Sequence, residues 1–235
     1  HFPSSKASAK RLAAMGENPD TISFFGPISA DRIRNYRKFT REELSLEFGV
    51  KFGEQTAIVS MHGAKFDSPS TSTHLKALLC AFDGLEDFFF IFTGPNADPE
   101  SRGLDEVIKS YCTRNPERAS FVENFGSDAF LSVLSECDIA IGNSSSFVHE
   151  APELGTPALL LGSRQSGRYE KNGQIRSIGA NSHQIQIAIT GALASTSPPR
   201  RNDFRGEAVE NFVARNIALT ISTTRLSQEK VFWDG

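Results

Sequence analysis

Short apolar runs recur between residues 56 and 178, and nearly every one is followed by a stretch with the longer repeat of a helix. The runs are Thr56 to Ser60, Phe88 to Phe92, Ala119 to Val122, Ile139 to Ile141, Ala158 to Leu161 and Ile175 to Ile178. Helical patterns lie between them at Thr71 to Phe82, Leu104 to Cys112, Ala129 to Cys137 and after the serines at 144–146, with one more at Gln184 to Ala194. Strands separated by helices come back parallel, because the crossover is too long for a hairpin. The expected fold class is therefore α/β: a Rossmann-like parallel sheet with helices on both faces. Before the sheet, the patterns predict helices over Ser4 to Met15, Ala30 to Lys38 and Arg41 to Phe48, the last capped by Thr40, and a strand over Ile22 to Phe25. After it come a loop over Ser195 to Asn202, a helix from Glu207 to about Leu219, and a polar tail. Residues 1–50 read as a passage carrying the first helices, and residues 51–235 as the sheet domain with a C-terminal helix.

A chain of 235 residues with 39% hydrophobic content can bury the core of one such domain. A net charge of −3 with scattered Lys and Arg gives no footprint for nucleic acid or for a membrane surface, so neither is expected as a partner. No apolar run approaches the roughly 20 residues that a membrane helix needs. The cysteines, Cys80, Cys112 and Cys137, are odd in number and far apart, which suits reduced core thiols in a cytosolic protein. Neither a disulfide framework nor a zinc or other metal site is expected. The chain opens on His1 without the pattern of a signal peptide, and is expected to be a piece of something longer.

In open parallel sheets, ligands bind outside the carboxyl ends of the strands. Several strands here end in reactive loops. The first ends in Met61-His62-Gly63, an imidazole beside a glycine that lets a ligand approach the backbone. The second ends in Thr93-Gly-Pro-Asn96-Ala-Asp98, where Asn96 and Asp98 suit either an Asx turn or contacts to ligand hydroxyls and base edges. The fourth ends in Gly142-Asn-Ser144-Ser145-Ser146, a hydroxyl-rich helix start of the kind that binds anions, with Glu150 following as an acceptor for ribose hydroxyls. The fifth ends in Gly162-Ser-Arg164-Gln-Ser-Gly-Arg168, two guanidiniums and two glycines suited to phosphate oxygens. Glycine-rich dinucleotide and P-loop fingerprints and the H-E-x-x-H zinc motif are all absent, so no cofactor is expected.

Together, Gly142-Asn-Ser-Ser-Ser146, Glu150-Ala-Pro, Leu154-Gly-Thr-Pro157 and Gly162-Ser-Arg-Gln-Ser-Gly-Arg168 resemble the carboxyl-terminal half of UDP-N-acetylglucosamine 2-epimerases. Pro95-Asn-Ala-Asp98 and His62 stand at matching distances upstream, and His1-Phe-Pro with Met15-Gly-Glu17 and Gly26-Pro27 is similar to the family's passage into its second domain. The Asn-Ser-Ser and Arg-Gln-x-Gly-Arg forms are closer to the UDP-hydrolysing branch, which makes N-acetylmannosamine for sialic acid synthesis. The resemblance implies one half of a GT-B-like two-domain fold that binds UDP and UDP-N-acetylglucosamine. It implies that Ser144 and Ser145 bind the diphosphate, Glu150 the ribose, Asn96 the nucleotide side and Arg164 the closing contact over UDP, with His62 the catalytic candidate by the diphosphate and sugar. It further implies elimination of UDP to a 2-acetamidoglucal, then hydration with inversion at C2. The acid and base carboxylates lie in the family's first half, so this chain is expected to be inactive without that N-terminal domain and to self-associate when intact. Phe147 stands where the family has glycine, and Asn202-Asp-Phe-Arg-Gly206 departs from its Gly-Asp-Gly turn. Rival readings are a GT-B glycosyltransferase donor-binding domain and a non-catalytic nucleotide-sugar-binding module.

Overall fold

In the computed structural model, residues 1–169, 173–194 and 211–223 are described. The helices are α1 (Lys6–Ala14), α2 (Ile28–Asn35), α3 (Arg41–Phe48), α4 (Thr71–Phe82), α5 (Leu104–Arg114), α6 (Ser127–Glu136), α7 (Ser146–His149), α8 (Ala151–Leu154), α9 (Ser182–Ala194) and α10 (Phe212–Thr223). The strands are β1 (Gln55–Ser60), β2 (Phe88–Thr93), β3 (Ala119–Val122), β4 (Ile139–Gly142), β5 (Ala158–Leu161) and β6 (Ile175–Ile178). All five strand pairs are parallel, in the order β3-β2-β1-β4-β5-β6. The chain moves outward from β1 to β3, then returns to the middle and moves the other way from β4 to β6. The direction reverses between β1 and β4, and an open sheet leaves a crevice at its carboxyl edge at that point.

The chain separates into two compact units. One runs from Tyr36 through the sheet to α9; the other contains residues 1–35 and α10. In the sheet unit the phenylalanine run of β2 works by its alternation. Phe88, Phe90 and Phe92 share a face with Phe82 of α4 and Tyr111 of α5. Phe82 stacks on Phe90 with centroids 3.7 Å apart, and Phe92 meets Tyr111 at 5.9 Å. Thr40 caps α3 as expected: its hydroxyl accepts from the Glu43 amide at 3.2 Å while the Glu43 carboxylate accepts from the Thr40 amide at 2.8 Å. In the other unit, the buried Asp31 carboxylate accepts the first amides of α10, from Val213 at 3.1 Å and Ala214 at 2.9 Å.

Several expectations are corrected. Ile22 to Phe25 is not a strand; a 3-10 turn over Pro19–Thr21 precedes it and it has no ladder partner among the described residues, so β propensity goes unused. α2 covers Ile28–Asn35, and its end is held by the Asn35 side chain, whose Nδ2 donates to the Asp31 carbonyl at 3.0 Å. The helix after the serines is broken in two at Glu150, two residues before Pro152, whose nitrogen has no hydrogen to donate. α10 runs past Leu219 to Thr223, whereas the loop at 195–202, the departure at 202–206 and a helix start at Glu207 lie outside the described residues. Cys112 and Cys137 are buried and burial raises both thiol pKa values, that of Cys112 to about 11, but Cys80 is exposed. Among the described residues no helix is long and apolar enough to cross a membrane.

Candidate functional site

The crevice between β1 and β4 is built from the backbone outward. Gly142 ends β4 with φ +142, and a Cβ there would overlap the Ser60 carbonyl of β1, so only glycine lets the two strand ends approach this closely. The next residue, Asn143, is buried and continues the ladder with its side chain. Its Oδ1 accepts the His62 amide at 2.7 Å, its Nδ2 donates to the His62 carbonyl at 2.8 Å, and its own amide donates to the Ser60 carbonyl at 3.0 Å. A primary amide offers one acceptor beside one donor, which is the pattern of a peptide unit. His62 is thereby fixed at the point where the sheet changes direction.

The His62 ring is held as firmly as its backbone. The Asn96 amide donates to Nδ1 at 3.0 Å, so in the neutral ring the proton sits on Nε2, 3.3 Å from the Ser60 hydroxyl. Burial lowers the pKa of His62 to about 4; the Arg164 guanidinium pushes the same way and Asp98 opposes. The imidazole is therefore neutral at pH 7. The Asn96 side chain is occupied within its own turn: Oδ1 accepts from the Ser101 hydroxyl at 2.6 Å and Nδ2 donates to the Asp98 carboxylate. Ser101 in turn accepts the Gly63 amide at 2.8 Å, and a Cβ on Gly63 would overlap the backbone of Glu100 and Ser101. The β2 turn thus orients His62 through backbone and hydroxyl contacts.

Past Asn143 the serines differ. Ser144 is buried and its hydroxyl accepts the Ser146 amide at 3.4 Å, whereas Ser145 is exposed at the start of α7 with no capping bond from its side chain. Phe147, which follows the serines, is fully buried. Glu150 joins α7 to α8, and its Oε2 is sealed from solvent without a hydrogen-bond partner among the described residues. A desolvated carboxylate oxygen that accepts nothing is costly.

The loop after β5 closes onto the same turn. Arg164 Nη1 and Gln165 Nε2 both donate to the Asn143 carbonyl, at 3.0 and 2.9 Å. Gln165 is 2% exposed, and its Oε1 accepts nothing among the described residues. Arg168, the second guanidinium of this loop, is exposed. Ion pairs among the described residues include neither Arg164 nor Asp67, whose carboxylate holds Ser163.

The structure brings His62, Ser144 and Arg164 together around Asn143, with Ser145 beside Ser144, Glu150 one short helix further on, and Asn96 behind the His62 ring. Sequence reasoning missed Asn143, Gln165 and Asp67. Asn143 carried a signal, an amide directly after the glycine that ends a buried strand. A cleft lined by Asn96, Asp98, Arg102, Lys109, Phe121 and Glu123 includes none of His62, Ser144 and Arg164. Among the described residues no group of His, Cys, Asp and Glu is arranged to hold a metal ion.

Comparison with known proteins gives a family and a set of shapes. A family model described as UDP-N-acetylglucosamine 2-epimerase matches residues 1–216. The GDP/UDP-N,N'-diacetylbacillosamine 2-epimerase (hydrolyzing) of Campylobacter jejuni is 30% identical over 168 residues, covering 72% of this chain and 44% of its own. The polysialic acid biosynthesis protein P7 of Escherichia coli is 28% identical over 211 residues, covering 84% of this chain and 52% of its own. The chain spans about half the length of these curated relatives. Among solved structures, the UDP-GlcNAc 2-epimerase of Methanocaldococcus jannaschii in complex with UDP-GlcNAc and UDP has the same fold, with a TM-score of 0.63 at 14% identity over 94% of this chain and 60% of that one.

Proposed function

The chain belongs to the UDP-N-acetylglucosamine 2-epimerase family, and on that footing we propose that it is the UDP-binding part of a hydrolysing 2-epimerase. The reaction converts UDP-N-acetylglucosamine to N-acetylmannosamine and UDP. In the first step the C2 proton is removed, the C1–O bond breaks and UDP leaves, giving the 2-acetamidoglucal. In the second, water adds across the double bond, hydroxyl to C1 and proton to C2 on the face opposite the one it left. Arg164 and the hydroxyls of Ser144 and Ser145 bind the diphosphate, whose charge grows as the C1–O bond breaks, so donors placed there act most strongly on the departing group. His62, neutral with its proton on Nε2, serves as an N–H donor beside the same oxygens. Asn96 holds that ring with its backbone amide.

The observation that carries this reading is Glu150, whose Oε2 has no hydrogen-bond partner among the described residues. A ribose diol supplies two O–H donors, and a carboxylate can accept both. The family's acid and base carboxylates belong to its other half, so this chain alone binds UDP and does not turn over the sugar nucleotide. The intact protein is a self-associating cytosolic enzyme. A second reading, a 2,4-diacetamido sugar as substrate, is supported by the name of the C. jejuni relative; feeding both sugar nucleotides to the chain joined to the family's N-terminal half, with product read by NMR, separates the two. Calorimetric titration tests the binding. UDP binds the chain, and Glu150→Gln weakens UDP and uridine by the same factor, about tenfold, because each loses one charge-assisted hydrogen bond to ribose. Unchanged affinity for both ligands in that variant overturns the assignment.

A further inference from the structure

We propose that Asp67 is a positioning residue of this site: its carboxylate sets where Arg164 stands. The inference rests on the reading of Arg164 as a diphosphate contact. Asp67 lies in the loop after β1 and Ser163 in the loop after β5, 96 positions apart in the chain and on either side of β4 in the sheet. Asp67 Oδ1 accepts both the Ser163 amide and the Ser163 hydroxyl, each at 2.7 Å. Its Oδ2 lies against Gly162, where φ is +74 and a Cβ would strike the carboxylate. The carboxylate therefore grips the backbone directly before Arg164 and spans the end of the strand that carries the serines.

The geometry explains why the guanidinium needs this support. Beyond Ser163, Arg164 and Gln165 reach the Asn143 carbonyl, so the loop is fastened at two successive places, to β1's loop by Asp67 and to β4's turn by one carbonyl. A guanidinium on a long stem loses conformational freedom when it binds an anion, and a main chain fixed one residue earlier removes part of that loss in advance. Because Asp67 pairs with no cation among the described residues, its charge is spent on Ser163 and leaves the arginine unneutralised.

The test is a double-mutant cycle on the 235-residue chain, read by calorimetric titration with UDP and with uridine. Asp67→Ala should weaken UDP by about fivefold to tenfold, the order of one net hydrogen bond, and leave uridine within about twofold. Adding it to Arg164→Ala should weaken UDP no further. Asp67→Asn keeps an Oδ1 acceptor for both donors and should recover most of the affinity. Should Asp67→Ala prevent folding, Asp67→Asn and Ser163→Ala, which removes the hydroxyl alone, carry the test, with Ser163→Ala expected to weaken UDP by about twofold to fourfold. Additive losses in the cycle, equal weakening of UDP and uridine, or parental UDP affinity in the Asp67 and Ser163 variants each overturn the proposal. An Arg164→Ala chain that binds UDP unchanged refutes the reading of Arg164 itself, and the proposal with it.

Discussion

Removing the Asn143 side chain isolates the contact that aligns the two strand ends. In Asn143→Ala the His62 amide loses an acceptor at 2.7 Å and the His62 carbonyl loses a donor at 2.8 Å, both in a part-buried setting. Each such bond contributes about 1 kcal/mol net, and groups left without a partner away from water add to the loss, so the expected destabilisation is about 2 to 3 kcal/mol. For a chain of this size that corresponds to a melting temperature lower by roughly 5 to 10 °C. Differential scanning calorimetry measures it directly. Asn143→Asp is the control: it keeps an acceptor for the His62 amide but sets a carboxylate against the His62 carbonyl, so it should be no more stable than the alanine variant. The Asn143 main-chain carbonyl, which anchors Arg164 and Gln165, is untouched by either change. A melting temperature within about 1 °C of the parent would refute the idea that the amide serves as a ladder extension, since even one net hydrogen bond exceeds that.

Two further outcomes follow from the charges. Arg164→Ala should weaken UDP by about tenfold or more and leave uridine, which has no phosphate, nearly unchanged by calorimetry; an equal loss for both would remove the arginine from the diphosphate. The His62 pKa is lowered from 6.5 in the free side chain to about 4 in the fold, chiefly by burial, so the unfolded chain takes up the proton first. The stability that His62 contributes is complete above pH 6.5 and is lost as pH falls towards 4, and a His62→Gln chain should show a flatter melting-temperature profile across that window. An imidazole that titrates near 6.5 by NMR in the folded chain would contradict the burial.

The alternation of strands and helices was legible because strands covered on both faces are almost continuously apolar, and β1 to β6 lie within about two residues of the runs that announce them. The candidate site was legible only as placement: His62, Asn96, Ser144 and Arg164 all follow a strand's last residue closely. What each side chain does there was not. Asn143 and His62 are 81 positions apart, Asp67 and Ser163 are 96, and only the sheet order makes them neighbours. Asn96 illustrates the difference, since the sequence offers either an Asx turn or a ligand contact, and the fold uses its side chain on Ser101 and Asp98 and its amide on His62. Ile22 to Phe25 failed for a related reason: local β preference yields a strand only where another strand stands alongside it.

The Asn143 carbonyl accepts two donors, one from Arg164 and one from Gln165. A carbonyl oxygen has two lone pairs, and with both engaged it can take nothing from an arriving molecule. At this carbonyl a newcomer thus meets the hydrogens of Arg164 and Gln165 and no vacant lone pair. Phosphoryl oxygens, which only accept, match those hydrogens, while this carbonyl has no lone pair left for an ammonium or guanidinium group. One acceptor is in this way withdrawn before any ligand arrives, by two neighbours of the chain's own that came first.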